Sequence, residues 1–235
     1  VVAIVSQFPT SHLGLIFLLT ERCNSRCLMC DYWRTPQPLS LDADEVLSFW
    51  KRRVRTRKGS VALTGGEPLL YPRLYELMRA FRPDVDHIVL STNGILLFDH
   101  ASEVARYCNK VIISVDGATR QTLRAVRGVE ALDAIIAATA EIRRLSSRVR
   151  VLYKVTVQRR NFRELPAIFE LAVNAGATGL ALTVPDRPGY ERVSASSIRS
   201  RFTGASHTAE ECREFRAIAG ETQRRFGPAA VEAGA

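Results

Sequence analysis

Three cysteines, Cys23, Cys27 and Cys30, fall within eight residues at the spacing Cys-x3-Cys-x2-Cys. Thiolates this close in one loop can grip a single metal centre, and their number is informative. Structural zinc is normally closed by four ligands, and ferredoxin-type clusters also take four cysteines, so a trio leaves one coordination position for another molecule. The spacing alone also allows plainer readings: cysteines that are merely buried, or zinc completed by a distant histidine. His12, His87, His100 and His207 form no ligand spacing. The remaining thiols, Cys108 and Cys212, are scattered and read as a packing residue and a late-helix residue.

The elements that must position this loop are legible as a repeating unit of short apolar run and amphipathic stretch, the pattern of parallel strands with crossover helices. Apolar runs span Leu15 to Thr20, Val61 to Thr64, Ile88 to Thr92, Val111 to Val115, Val149 to Val157 and Gly179 to Val184. Helix patterns span Asp42 to Arg55, Pro72 to Ala80, His100 to Tyr107, Val129 to Leu145 and Arg163 to Ala175, with Asp42 as an N-terminal signal and Gly176 as a C-cap. Six β/α units are too few for a closed eight-stranded barrel. The expected fold is therefore α/β, an open, partial parallel β/α barrel.

In such architectures ligands bind beyond the carboxyl ends of the strands. The polar residues agree: Thr64-Gly65-Gly66-Glu67, Ser91-Thr92-Asn93-Gly94 and Ser114-Val115-Asp116-Gly117 each fall where a strand gives out. Residues two apart share one side of a strand, which pairs Ser91 with Asn93 and Ser114 with Asp116. The same alternation puts Val149, Val151, Tyr153, Val155 and Val157 on one face of the fifth strand and Arg150, Leu152, Lys154 and Thr156 on the other. In a barrel the second set points at the lumen, where Lys154 meets a carboxylate or phosphate.

The barrel accounts for residues 1–184, a polar loop or linker for 185–206, and a C-terminal helix pattern, Thr208 to Phe226, with a frayed tail for 207–235. The start of the chain reads as irregular. Hydrophobic residues make up 46% and charged residues 24% of the 235, the composition of a globular rather than a disordered chain. No apolar run approaches the roughly 20 residues of a membrane span. Net charge is +9, which favours acidic partners in a general way. The basic residues are scattered without the aromatic interleaving of a base-stacking surface, so nucleic acid is not indicated. Clustered cysteines without a secretory signal argue for a reducing compartment, with cytoplasm the default.

Thr20-Glu21-Arg22-Cys23-Asn24-Ser25-Arg26-Cys27-Leu28-Met29-Cys30 resembles the CxxxCxxC cluster loop of radical S-adenosylmethionine (SAM) enzymes, and Gly65-Gly66-Glu67-Pro68 resembles their GGEP motif. The STNG and SVDG segments resemble the motifs on the next two strands, in matching order over residues 13 to 184. The resemblance implies a [4Fe-4S] cluster held by Cys23, Cys27 and Cys30, whose fourth iron chelates SAM. It implies that Gly65 and Gly66 let backbone approach the methionine part of SAM, near the Glu67 region. Ser91 and Asn93 would meet methionyl or ribose groups, Ser114 and Asp116 ribose hydroxyls, and Arg127 the SAM carboxylate. The position before the third cysteine is often aromatic in this family and rests near adenine; here it is Met29. On the fifth strand Lys154 is a further contact to SAM or substrate.

The activity so implied is reductive cleavage of SAM to a 5′-deoxyadenosyl radical, which abstracts a hydrogen atom from an organic substrate, with an external electron donor such as flavodoxin or ferredoxin. Two scattered thiols cannot build an auxiliary cluster, so the expected reaction is rearrangement, elimination or epimerisation of a small metabolite. A ribosomal-peptide maturase that lacks its auxiliary-cluster extension is the alternative within the family. A non-catalytic iron–sulfur or zinc protein is the alternative outside it.

Overall fold

The six apolar runs line up as neighbouring parallel strands in the computed structural model, which describes residues 3–7, 13–53, 59–183, 208–226 and 231–233. In chain order the elements are β1 (Ala3–Gln7), β2 (Leu13–Leu18), α1 (Ala43–Arg53), β3 (Gly59–Thr64), α2 (Leu74–Phe81), β4 (His87–Thr92), α3 (Ala101–Tyr107), β5 (Lys110–Ser114), α4 (Arg120–Arg127), α5 (Leu132–Leu145), β6 (Arg150–Thr156), α6 (Leu165–Asn174), β7 (Gly179–Thr183), α7 (Ala209–Phe226) and β8 (Val231–Ala233). The sheet runs β1 to β8 in sequence order and is parallel from β2 onward, with β1 antiparallel at one edge.

Three elements differ from the sequence expectation. The start is not irregular and the tail carries a strand: β1 pairs with β2, and the three-residue β8 pairs with β7. Neither is long enough to show a period of its own; each forms by docking on a sheet edge that already exists. The third is α4, two turns rich in arginine, with Thr119 Oγ1 accepting from Thr122 N at 3.0 Å at its start and Gly128 at φ 70° ending it. Its shortness and charge hid it between two stronger patterns. Residues 54, 55 and 184–207, which take in the end of the first predicted helix, Val184 and the predicted linker, lie outside the described residues.

Register fixes two faces. Phe17, Leu63, Leu90, Ile113, Tyr153 and Leu180 lie on one face, essentially without exposed surface. They pack beneath the helices: Phe17 stacks on Phe81 of α2 at 5.6 Å, Trp50 of α1 closes on Phe81 at 4.1 Å, and Tyr153 Oη meets Thr139 Oγ1 of α5 at 2.9 Å. Each such side chain contributes about 1.5–3 kcal/mol through burial. Ile16, Ala62, Ser91, Ile112, Ser114, Lys154 and Ala181 line the opposite face and are only half-buried. That face is the barrel lumen.

The helix signals hold where they were expected: Asp42 Oδ1 accepts from Asp44 N and Glu45 N at 2.9 and 3.0 Å, and Gly176 takes φ 82° just past α6. Helix α7 lies against α6, with Phe215 and Ile218 packed on the core and Arg163–Glu214 and Arg225–Glu170 as exposed ion pairs. Such pairs are worth about 1 kcal/mol or less each. Among the described residues no helix is long and apolar enough to cross a membrane.

Candidate active site

The cysteine loop leaves β2 and is zipped at its base. Thr20 bridges Ser40 through backbone and through an Oγ1···Oγ contact of 2.7 Å, Glu21 N donates to Leu39 O at 2.8 Å, and Leu39 N donates to Glu21 Oε2 at 3.0 Å. Inside this closure Cys27 O accepts from Cys30 N at 3.3 Å and from Trp33 Nε1 at 3.1 Å, which curls the chain around the thiols. Cys27 is buried, while Cys23, Met29 and Cys30 are partly exposed.

Burial pushes all three thiols up, Cys27 to about 11, and the neighbouring charges of Cys30 and Cys23 add to the effect on Cys27. The Arg127 guanidinium works in the opposite direction on Cys27 and Cys30. Neutral thiols in a shared, half-dry pocket give up their protons when a metal cation replaces them.

The glycines after β3 lie against the cysteine loop. A Cβ on Gly66 would sit 2.4 Å from Arg22 O and 2.6 Å from Glu21 O, and one on Gly65, where φ is +145°, 2.4 Å from Thr20 O. The missing side chains therefore make room for the cysteine loop itself. Gly66 N donates to Thr20 O at 2.6 Å and Glu67 N to Arg22 O at 2.8 Å, extending the β2–β3 ladder past its strands.

Glu67 has no exposed surface; Oε1 accepts from Thr92 Oγ1 at 2.7 Å and Leu69 N at 3.1 Å, and Oε2 from Asn93 N at 2.7 Å. Its carboxylate ties the end of β3 to the end of β4 rather than facing a ligand, and desolvation raises its pKa against those donors. Asn93 carries the tie onward: Nδ2 donates to Asn24 Oδ1 at 2.7 Å and lies 3.9 Å from Cys23 Sγ.

Asp116 and Arg127 meet each other instead of the rim. Arg127 Nη1 donates to Asp116 Oδ2 at 2.6 Å, with side chains 10% and 0% exposed, and Asp116 Oδ1 accepts from Thr156 N at 2.6 Å. In this structure the two side chains bond each other, and Arg127 Nε remains without a partner. Buried Asn161 locks the arrangement, donating from Nδ2 to Asp116 O and Thr156 O at 3.1 and 3.0 Å. The backbone of the last α4 turn reaches the cysteine loop, Arg26 N donating to Arg127 O at 3.0 Å and Leu28 N to Val126 O at 2.9 Å.

Ser91, Ser114 and Lys154 stand apart from this network. They share the lumen face, Ser114 directly beside Lys154 in register, and their side chains have no hydrogen-bond partner among the described residues. Leu182 pairs with Val155 on the helix side and packs against the core. Sequence reasoning did not single out Asn24, Ser25, Thr92 or Asn161; only Asn24 and Ser25 carried a signal, their place between two cysteines.

Two buried side-chain polar atoms among the described residues lack a partner, Ser25 Oγ and Arg127 Nε. Both can donate, and Ser25 lies inside the loop while Arg127 abuts it. The three thiols feel one another, yet among the described residues no three His, Cys, Asp or Glu converge on a single ion, which for zinc would lie ~2.3 Å from each sulfur. Three thiols, unmet donors and a buried cation fit an anionic, polynuclear iron–sulfur cluster with three protein ligands.

Comparison with known proteins agrees with this donor set. Residues 17–172 match the sequence model of the Radical SAM superfamily, and the chain belongs to that family. That family is one of enzymes that use a [4Fe-4S] cluster and SAM. It is 28% identical over 179 residues to a GTP 3′,8-cyclase of Campylobacter jejuni subsp. doylei, covering 72% of this chain and 55% of the relative. It is 31% identical over 164 residues to an AdoMet-dependent heme synthase of Methanosarcina barkeri, covering 68% and 46%. The chain thus spans about half the length of these curated relatives. Among solved structures, Streptococcus suis SuiB bound to S-adenosylmethionine aligns with TM-score 0.71 at 11% identity over 95% of this chain and 52% of that one.

Proposed function

We propose that this chain cleaves SAM reductively and uses the resulting 5′-deoxyadenosyl radical to abstract a hydrogen atom from a small organic molecule bound over the lumen face, leading to rearrangement, elimination or epimerisation. The observation that carries the reading is the three-cysteine loop gripped on both flanks, by Gly66 and Glu67 on one side and the end of α4 on the other. Cys23, Cys27 and Cys30 would hold the cluster. Bound there, the cluster would supply the single electron that splits a carbon–sulfur bond of SAM into methionine and the 5′-deoxyadenosyl radical.

The chain's own residues do the positioning. Asn93 and Asn24 steady the loop at Cys23. Gly65 and Gly66 hold that loop close to β3, and their carbonyls, like the half-exposed Met29, remain candidates to border SAM. Ser91 and Ser114 offer hydroxyls on the lumen face and Lys154 an ammonium that would bind a carboxylate or phosphate. Ile112 and Leu152 beside them form an apolar floor that keeps water from the radical. An external one-electron donor such as flavodoxin or ferredoxin completes the cycle.

The relatives named for GTP cyclisation and heme synthesis favour a small substrate. Peptide maturation is the second reading, favoured by the open lumen face, and the solved SuiB bound to a precursor peptide shares the fold. The deciding experiment is anaerobic reconstitution with iron and sulfide followed by SAM and dithionite. Formation of 5′-deoxyadenosine and methionine is expected; a fully loaded protein that forms neither overturns the proposal.

A further inference from the structure

We infer that Ser25 donates its hydroxyl hydrogen to a sulfur atom of the bound cluster, an inorganic sulfide or a cysteine thiolate, and so makes the cluster easier to reduce. The inference rests on the reading of the loop as a cluster site.

A serine hydroxyl turns freely about its bond and readily finds a backbone carbonyl or a neighbouring side chain close by in the chain. Ser25 finds neither. It is 1% exposed, and its Oγ is one of two buried side-chain polar atoms without a partner among the described residues. A hydroxyl taken out of water and left unmatched costs free energy, so its presence calls for an acceptor from outside the polypeptide.

The surroundings narrow what that acceptor is. Along this stretch Asn24 is partly exposed and Arg26 and Leu28 are exposed, whereas Ser25 and Cys27 are buried. The alternation puts Ser25 on the same inner side of the loop as the middle thiol. Its backbone already serves sulfur, since Ser25 N donates to Cys23 Sγ at 3.4 Å. The polar groups on either side are committed elsewhere: Asn24 Oδ1 accepts from Asn93 Nδ2 at 2.7 Å, and Arg26 N donates to Arg127 O at 3.0 Å. What remains for the hydroxyl is the enclosure it shares with the cysteines, and the acceptors a cluster brings there are anionic sulfurs.

The consequence has two signs. In the metal-free protein the unmatched hydroxyl destabilises the fold. In the loaded protein it stabilises negative charge on sulfur, and more so once an electron has been added, which raises the reduction potential. A hydroxyl with a purely structural partner has no reason to reverse in this way.

The test uses Ser25→Ala. Thermal melting is measured on metal-free protein, and midpoint potential is measured by EPR-monitored titration on protein loaded with iron and sulfide in the absence of SAM. S25A is expected to melt at or above the parental temperature without metal and to show a lower potential when loaded. A lower melting temperature in the metal-free variant, as loss of a bond to protein or to a trapped water would give, overturns the inference. So does an unmoved potential. A loss of SAM affinity of about tenfold or more with the potential unmoved would assign the hydroxyl to SAM instead.

If S25A takes up no cluster, the melting of the metal-free proteins decides on the same terms. Failure of the parental protein to load a cluster or cleave SAM would strike the proposed function. Parental and S25A proteins that both load and share one potential would strike this inference alone.

Discussion

The two halves of the rim are built on different terms. Around the cysteine loop nearly every polar group is committed: Glu67 holds Thr92, Leu69 and Asn93, Asn93 holds Asn24, and Asp116 holds Arg127 and Thr156. On the lumen face Ser91, Ser114 and Lys154 have no such partner among the described residues. A buried polar group without a partner is costly, whereas a half-exposed one keeps its water until a ligand arrives. The contrast separates a preorganised cofactor cradle from a face left open for what is bound and transformed.

The sharpest way to break this contrast is to remove a ligand from the cradle. Cys27→Ala is expected to bring iron content and 5′-deoxyadenosine formation to background, read by iron analysis and product chromatography; retention of a full cluster would contradict the ligand assignment. Next in size is Gly66→Ala, whose new Cβ has to push against Arg22 and Glu21 carbonyls. It is expected to cost about 1–3 kcal/mol by overpacking and to lower cluster loading, measured by thermal melting and iron content. Full loading and parental stability would mean that the glycine is there for a ligand and not for the loop.

On the open side, Lys154→Met is expected to leave iron content and melting unchanged while weakening an anionic ligand by about 10–100-fold, the worth of one charged hydrogen bond. SAM and substrate titrations identify which of the two it serves, and loss of the cluster would instead move Lys154 into the cradle.

The smallest effect lies outside both halves. Cys108 is fully buried at the far end of the barrel, which pushes its thiol up from 9.0 to about 12. The unfolded chain thus gives up this proton first, so stability from Cys108 is intact at neutral pH and declines as pH rises between those two values. Cys108→Ala is expected to keep cluster and activity, cost about 1 kcal/mol at neutral pH, and melt with a flatter dependence on alkaline pH than the parent.

Much of the fold could be read from the chain because buried parallel strands advertise themselves as apolar runs. Val111 to Val115 and Ile88 to Thr92 need no context to be recognised. β8 has three residues and α4 has two turns of mostly arginine and glutamine on its outer face, so each exists only through what it docks on. The same holds at the site. Cys23, Cys27 and Cys30 stand out in the chain by spacing alone, and the structure places all three in the loop that follows β2.

The division of labour among their neighbours was not legible. Sequence placed Glu67 and Asp116 just past their strands and Arg127 further along, where the structure ends α4, but which way each side chain turns depends on partners distant in the chain. Thr92 is 25 residues from Glu67 and Thr156 is 40 from Asp116. Asn161 gave no signal at all, since its work is to satisfy two backbone carbonyls that only the folded barrel brings together.

The backbone bonds on both flanks of the cysteine loop have a consequence for how the enzyme lives with oxygen. Where a metal supplies the folding energy of its own site, its loss unfolds that site. Here Gly66, Glu67, Val126 and Arg127 are hydrogen-bonded through their backbone to the loop on both sides of the cysteines. None of these bonds runs through a thiol, so a chain stripped of its cluster by a chelator is expected to take up iron and sulfide again without being unfolded first, as the ultraviolet–visible spectrum of a reloaded sample would show.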